Sequence, residues 1–278
     1  MQYKKTIRRY LLLSLCICFC ASYGVCQNIS YDFEEQSDTA FIHVTNNLYF
    51  PITLNLKLKS NQHQNIYVPN VVTIPPREQL KKVIHIPGAP PRDTIAGILK
   101  SAISISAEAG DPKDLSYDAK YEYRLPYAKD KKFRVMQGFF GKVSHNHPMS
   151  YHAVDFALSV GDTIFAAREG IVGHIVEKYS EHGGRELISK ANKIIIYHED
   201  GTLGFYTHLD LNGALVEEGE QVKKGQVLGI SGWTGFSTAP HLHFVVRRGD
   251  GKSVPIRFEG YGKKVLKQGK YYRHKTKR

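Results

Sequence analysis

The chain is short of sulfur and of long apolar runs. Its four cysteines, Cys16, Cys18, Cys20 and Cys26, all fall within the first 26 residues, so cleavage after Gly24-Val25-Cys26 leaves a body with no thiols and no disulfides. The apolar run that begins at Leu11 is shorter than the ~20 residues a membrane-spanning helix requires. No internal repeat or low-complexity tract occurs, and beyond residue 128 glycines come too often for a long helix. What remains is ample for folding. Across 278 residues, 42% are apolar and 11% aromatic, which supports one large domain or two modest ones and excludes a disordered chain.

Lys4, Lys5, Arg8 and Arg9 precede the apolar run, the layout of a secretory signal peptide over residues 1–26. The expected location is therefore exported: periplasm, cell envelope or extracellular. Acylation of Cys26 is disfavoured because Tyr23-Gly24-Val25 poorly matches the small residues such a site prefers. Removing residues 1–26 takes away four basic and no acidic residues and lowers the net charge from +12 to +8. The last sixteen residues hold eight Lys or Arg and no acid, so the body between is close to neutral. The basic character belongs to a tail, residues 261–278, which suits an anionic envelope polymer or membrane surface, or a solvated end. Nucleic acid is not expected as a partner of an exported chain.

In "YFPITLNLKLKS", Ile52, Leu54, Leu56 and Leu58 alternate with Thr53, Asn55, Lys57 and Lys59, the pattern of a half-buried strand. Further short segments broken by Pro, Gly and Asp clusters predict an immunoglobulin-like β-sandwich over residues 27–127. Its His43, His63 and His85 are isolated and read as packing or surface residues. From "KDKKFRVMQGFFG" onward glycine-punctuated strands predict a second domain over 128–260. In "YHAVDFAL", Val154, Phe156 and Leu158 form a packing face and Asp155 lies opposite, between Ala153 and Ala157. "NKIIIYHEDGTLGFYTHL" reads as a hairpin turning at Asp200-Gly201, with Gly204, Tyr206 and His208 on one face.

"TAPHLHF" puts His241 and His243 two residues apart, hence on one face of an extended strand. Two imidazoles on one face point to a metal, an acid/base pair, or both. Beside Ser144-His145, "YHAVDFAL", "AAREGIV", "FYTHL" and "VKKGQVLGISGWTGFSTAPHLHF", this motif makes residues 128–258 resemble the LytM/lysostaphin-type zinc endopeptidases, the M23 peptidases. The resemblance implies an all-β fold in which an antiparallel β-sheet catalytic domain follows the sandwich. It implies one zinc per chain, held by a histidine ahead of the "VDF" strand, by Asp155 and by His243, with His208 and His241 in catalysis. Three N/O ligands leave a fourth position for water, as a hydrolytic zinc site needs.

The first ligand departs from the commonest pattern of that family. Many members carry His four residues before the aspartate, where this chain has Tyr151, and His152 at odd spacing belongs to the opposite strand face. A variant branch resembling "QGFFGKVSH" places the ligand upstream in a loop, matching His145, with His147 and His152 as alternatives. Arg168 and Asn192 also match positions often filled this way in the family, although each is equally a turn or salt-bridge residue. His174 and His198 read as packing residues, and Ala239 replaces a more usual glycine. The implied activity is hydrolysis of peptide bonds in peptidoglycan stems or cross-links. The competing expectations are a non-catalytic wall-binding or hydrolase-activating protein on the same fold, and a zinc peptidase acting on proteins outside the wall.

Overall fold

Alternating apolar residues and glycine-bearing turns yield a chain built mainly of strands. The computed structural model describes residues 8–10, 28–59, 65–88 and 90–275. The expected signal peptide lies outside these residues apart from Arg8–Tyr10, as do all four cysteines and His63. No described helix is long and apolar enough to cross a membrane. Two compact units meet between Asp111 and Pro112.

The first unit holds two antiparallel sheets. One runs in the order Arg8–Tyr10, Ile29–Gln36, Thr39–Asn46, Gln79–Pro87, and the other Val71–Ile74, Ile52–Leu58, Ile103–Ala109. Ile52, Leu54 and Leu56 are buried, as their alternation requires, and no immunoglobulin-like topology is assigned to the unit. It also contains a helix, Arg92–Ala102, absent from the sequence expectation. Pro91 precedes the helix, and its carbonyl accepts a bond from the Thr94 hydroxyl, while Ile95, Leu99 and Ala102 recur at helical spacing and are buried.

The second unit begins sixteen residues before the expected 127/128 boundary. The reason is packing: Tyr123, Leu125 and Tyr127 are buried in the same core as Phe156, Tyr206 and Phe244. Its main sheet has eight strands in the order Gln221–Val222, Gly170–Val176, Lys193–Tyr197, Leu203–Thr207, Leu242–Arg247, Val154–Phe156, Lys132–Gln137, Tyr271–Arg273. Every neighbouring pair in it is antiparallel. Val154, Phe156, Ile194, Ile196, Tyr206, Phe244 and Val246 fill the core from one face. The alternate residues therefore stand on the other face. There, directly opposed residues form one row across five strands: Gln137, Asp155, His243, Thr207 and Lys193.

The hairpin turns where expected, with Gly201 at φ +82°. At its far end the alternation fails. The strand stops at Thr207 and His208 has φ +73°, so His208 leaves the Gly204/Tyr206 face on which the alternation placed it. The C-terminal segment is also not a free tail as far as residue 275. Tyr271–Arg273 is the edge strand of the main sheet, the Tyr127 hydroxyl donates to the Tyr272 carbonyl (2.8 Å), and Leu266 is buried in the core. Replacing Leu266 by Ala is therefore expected to cost about 2–5 kcal/mol, as for other buried leucines. A thermal melt checks this, since a frayed tail would leave the midpoint unmoved.

Candidate metal centre

Asp155 and His243 sit opposite each other on adjacent strands near the middle of the main sheet. Their register brings Asp155 Oδ1 to 2.9 Å from His243 Nδ1. His145 arrives from the loop after Gln137 and places Nε2 3.1 Å from the same Oδ1 and 3.3 Å from His243 Nδ1. Asp155 and His145 are buried and His243 is half-buried.

Gln137 ties that loop to the carboxylate. Its Oε1 accepts from the Val143 and Ser144 amides (2.9 and 3.2 Å), and its Nε2 donates to Ser144 Oγ (2.7 Å) and Asp155 Oδ2 (3.1 Å). The loop packs so closely on this side chain that a Cβ on Gly141 would lie 2.1 Å from Gln137 Cγ. Nothing in the residue pattern singled out Gln137, because an amide that organises backbone groups has no periodicity to betray it.

The hydrogen bonds determine what the three donors can hold. His145 Nδ1 donates to the Gly138 carbonyl (2.8 Å), so in a neutral ring Nε2 carries a lone pair. That lone pair faces a carboxylate oxygen, an arrangement that is repulsive unless a cation lies between them. A proton or a metal ion meets the need. Burial opposes protonation of His145, but the hydrogen bond and charge of Asp155 prevail and raise its pKa above the ordinary value. Burial likewise disfavours the Asp155 carboxylate, yet bonds from His145 and His243 and the charge of His241 hold it well below the usual range. Burial lowers His243 despite its bond to Asp155. Tetrahedral zinc with N/O ligands spaces its donor atoms about 3.3–3.5 Å apart. The present separations of 2.9, 3.1 and 3.3 Å fit such an ion with displacements of roughly a few tenths of an ångström.

Two further imidazoles flank the cluster. His208 and His241 have ring centroids 4.5 Å apart, and His208 lies 6.2 Å from His243. His208 Nδ1 donates to the Thr234 carbonyl (2.6 Å) and His241 Nδ1 to the Ala239 carbonyl (2.8 Å). Each neutral ring thus keeps Nε2 as an acceptor, and His241 Nε2 stands 3.9 Å from Asp155 Oδ1. Burial, followed by the charges of His241 and His243, pushes His208 down to about 3, so it is neutral at physiological pH. Asn192 positions His208: its carbonyl accepts from the His208 amide (2.8 Å), and its side chain donates to the Tyr179 and Asp210 carbonyls (2.7 and 3.0 Å).

The other candidates lie elsewhere. His152 Nδ1 bonds to the Ser253 carbonyl (2.9 Å), and its ring packs edge-on against Phe139 and Phe140. His147 is exposed and accepts a long bond from the Met149 amide (3.4 Å). Neither joins the cluster. Arg168 forms a buried ion pair with Asp200 (2.7 Å), His174 pairs with Glu218 (2.6 Å), and His198 donates to the Glu169 carbonyl (2.7 Å). Because Gln137 orients both the His145 loop and Asp155, Gln137→Ala is expected to weaken the affinity of the cluster for an added metal ion about 10–100-fold. Competition with a chromophoric chelator checks this.

Residues 150–256 match the sequence model of "Peptidase family M23", a stretch that includes Asp155, His208, His241 and His243 but not His145. Peptidoglycan DD-endopeptidase ShyA of Vibrio cholerae is 29% identical over 123 residues, 42% of this chain and 26% of that protein. Glycyl-glycine endopeptidase ALE-1 of Staphylococcus capitis is 39% identical over 97 residues, 34% of this chain and 24% of its own length. The solved structure of the antimicrobial peptidase lysostaphin from Staphylococcus simulans is 27% identical, with a TM-score of 0.35, covering 50% of this chain and 52% of that one. The chain thus spans about a quarter of the length of these two curated relatives. Over residues 150–256 it carries a domain of the metallopeptidase family M23.

Proposed function

We propose that this protein is an exported, zinc-dependent endopeptidase that hydrolyses peptide bonds in peptidoglycan stem peptides or cross-links. The observation that carries the reading is the triangle of His145 Nε2, Asp155 Oδ1 and His243 Nδ1, with the acceptor nitrogens of His208 and His241 beside it. His145, Asp155 and His243 hold the ion. Zinc bound there supplies Lewis acidity toward the scissile carbonyl and lowers the pKa of a water to about 7.

The remaining chemistry falls to the flanking pair. A neutral Nε2 of His208 or His241 accepts the proton of the attacking water, and the resulting N–H donates to the developing oxyanion. The same proton then passes to the leaving amine nitrogen as the C–N bond breaks. The carbonyl oxygens of Thr234 and Ala239 keep both rings in the tautomer this requires. Such proton transfer contributes about 10²–10⁴-fold. The periplasm or outer envelope is the compartment that brings the site to this substrate. A non-catalytic wall-binding or activating role is less favoured, because both the donor triangle and the histidine pair are intact.

Asp155→Ala and His243→Ala are expected to abolish both zinc binding and fragment release from purified sacculi. His208→Ala and His241→Ala are expected to lower release about 10²–10⁴-fold while most zinc is retained. Metal analysis alongside mass spectrometry of released fragments checks both arms. Full activity in any of the four variants would refute the assignment.

A further inference from the structure

The two flanking histidines are held by different means. His208 is secured from inside the fold. The Thr234 carbonyl that accepts from its Nδ1 belongs to a residue whose Oγ1 donates to the Leu209 carbonyl (2.8 Å) and accepts from the Asn192 amide (3.1 Å). His241 depends on Ser237 instead. The Ala239 carbonyl that accepts from His241 Nδ1 also accepts from Ser237 Oγ (2.7 Å), and that hydroxyl lies 3.2 Å from Nδ1 itself. What fixes Ser237 therefore bears on the His241 ring.

Two backbone contacts fix Ser237. Its carbonyl accepts from the indole Nε1 of Trp233 (3.1 Å), which closes the turn over residues 233–237, and its amide donates to the Gly183 carbonyl (3.2 Å). Gly183 belongs to a short strand, His182–Gly183, that runs parallel to Gly235–Phe236, and the Gly235 amide donates to the Glu181 carbonyl (2.7 Å). The turn also packs on Ala191, so closely that a Cβ on Gly235 would stand 2.6 Å from Ala191 Cβ. A two-residue ladder is marginal by itself. The His182 ring reinforces it by stacking on the half-buried indole, with centroids 3.5 Å apart and planes 17° from parallel. His182 is exposed, so the stack covers the turn from the solvent side.

We propose that Trp233, braced by His182, is a positioning residue for His241, a proposal that rests on the endopeptidase reading above. The indole bond keeps the Ser237 carbonyl in place, Ser237 keeps its hydroxyl on the Ala239 carbonyl, and that carbonyl keeps the Nδ1–H tautomer of His241, with Nε2 as acceptor. His208 does not share this dependence, because both bonds of Thr234 Oγ1 run to backbone groups of the buried residues Leu209 and Asn192. An aromatic stack shifts a local equilibrium by about 2–10-fold. Misplacing a reacting group by about 1 Å costs up to about 100-fold in rate. The histidine pair is thus held unequally, and the exposed stack governs one member of it.

The test uses the zinc-loaded full chain, unaltered and as Trp233→Phe, His182→Ala and His182→Phe, with a soluble cross-linked stem-peptide dimer as substrate. Trp233 is the only tryptophan of the chain, so its emission reports the stack directly. Nitrogen NMR spectra of the imidazoles report the tautomer of each ring. Trp233→Phe, which keeps a ring and loses the indole donor, should lower kcat about 10–100-fold with KM changed less than about twofold. His182→Ala should alter the emission and lower kcat about 2–10-fold, and His182→Phe, which can stack again, should restore kcat. In Trp233→Phe the ring nitrogens of His241 should shift toward tautomer-averaged values while those of His208 stay. Equal shifts in both histidines would mark a general loosening and overturn the proposal, as would unmoved His241 signals or an unchanged kcat in either Trp233→Phe or His182→Ala. If the unaltered protein cleaves nothing while the His241 signals alone shift in Trp233→Phe, the positioning stands and the endopeptidase reading falls.

Discussion

The site depends on one buried carboxylate. Asp155 is held on a central strand where desolvation disfavours its charge, and the charge survives because His145 and His243 converge on a single oxygen while Gln137 binds the other. Removing any of these partners would leave an anion in a poorly solvated place. Conversely, the anion is what draws the histidines into reach of one another, since two imidazoles alone have no reason to approach within 3.3 Å. The same electrostatic requirement selects a cation as the fourth member of the group.

The sheet register turns this local demand into a larger surface. Because Asp155, His243, Thr207 and Lys193 are directly opposed on successive strands, an acidic group, an imidazole, a hydroxyl and an ammonium stand in a line across one face. The other face is apolar and packs the core through Phe156, Phe244, Tyr206 and Ile194. A shift of one residue in any of these strands would exchange the two faces and bury the line in the core. Stability and site geometry are therefore set by the same apolar alternation.

Part of this was legible in the sequence. Strand alternation alone put Asp155 opposite the packing face, and the two-residue spacing of His241 and His243 put both on one side; the hairpin at Asp200-Gly201 followed from its turn residues. The resemblance to M23 peptidases supplied the expected roles, and of the three histidines it offered as first ligand the structure brings His145 to Asp155 and His243. Periodicity could not reach further. His208 escapes its expected face through one left-handed residue, and the loop that delivers His145 is shaped by Gln137 through backbone contacts that leave no pattern. The relation of Lys193 to His243 exists only once three strands are paired. The helix Arg92–Ala102 and the assignment of residues 112–127 to the second unit likewise depended on packing rather than local signals.

The donors also differ in how firmly they are held. Asp155 and His243 belong to strands whose ladders fix them, whereas His145 hangs on a loop organised by side-chain bonds from Gln137. Breaking such bonds is far less cooperative than breaking a sheet, so the loop is the part whose order metal binding can change. His208 and His241 occupy an intermediate position, just beyond the end of one strand and just before the start of another, with Nδ1 pinned to a carbonyl in each case. The firmness of each donor thus follows from the element that carries it: the ladder for Asp155 and His243, a carbonyl bond at a strand end for His208 and His241, and side-chain bonds from Gln137 for the His145 loop.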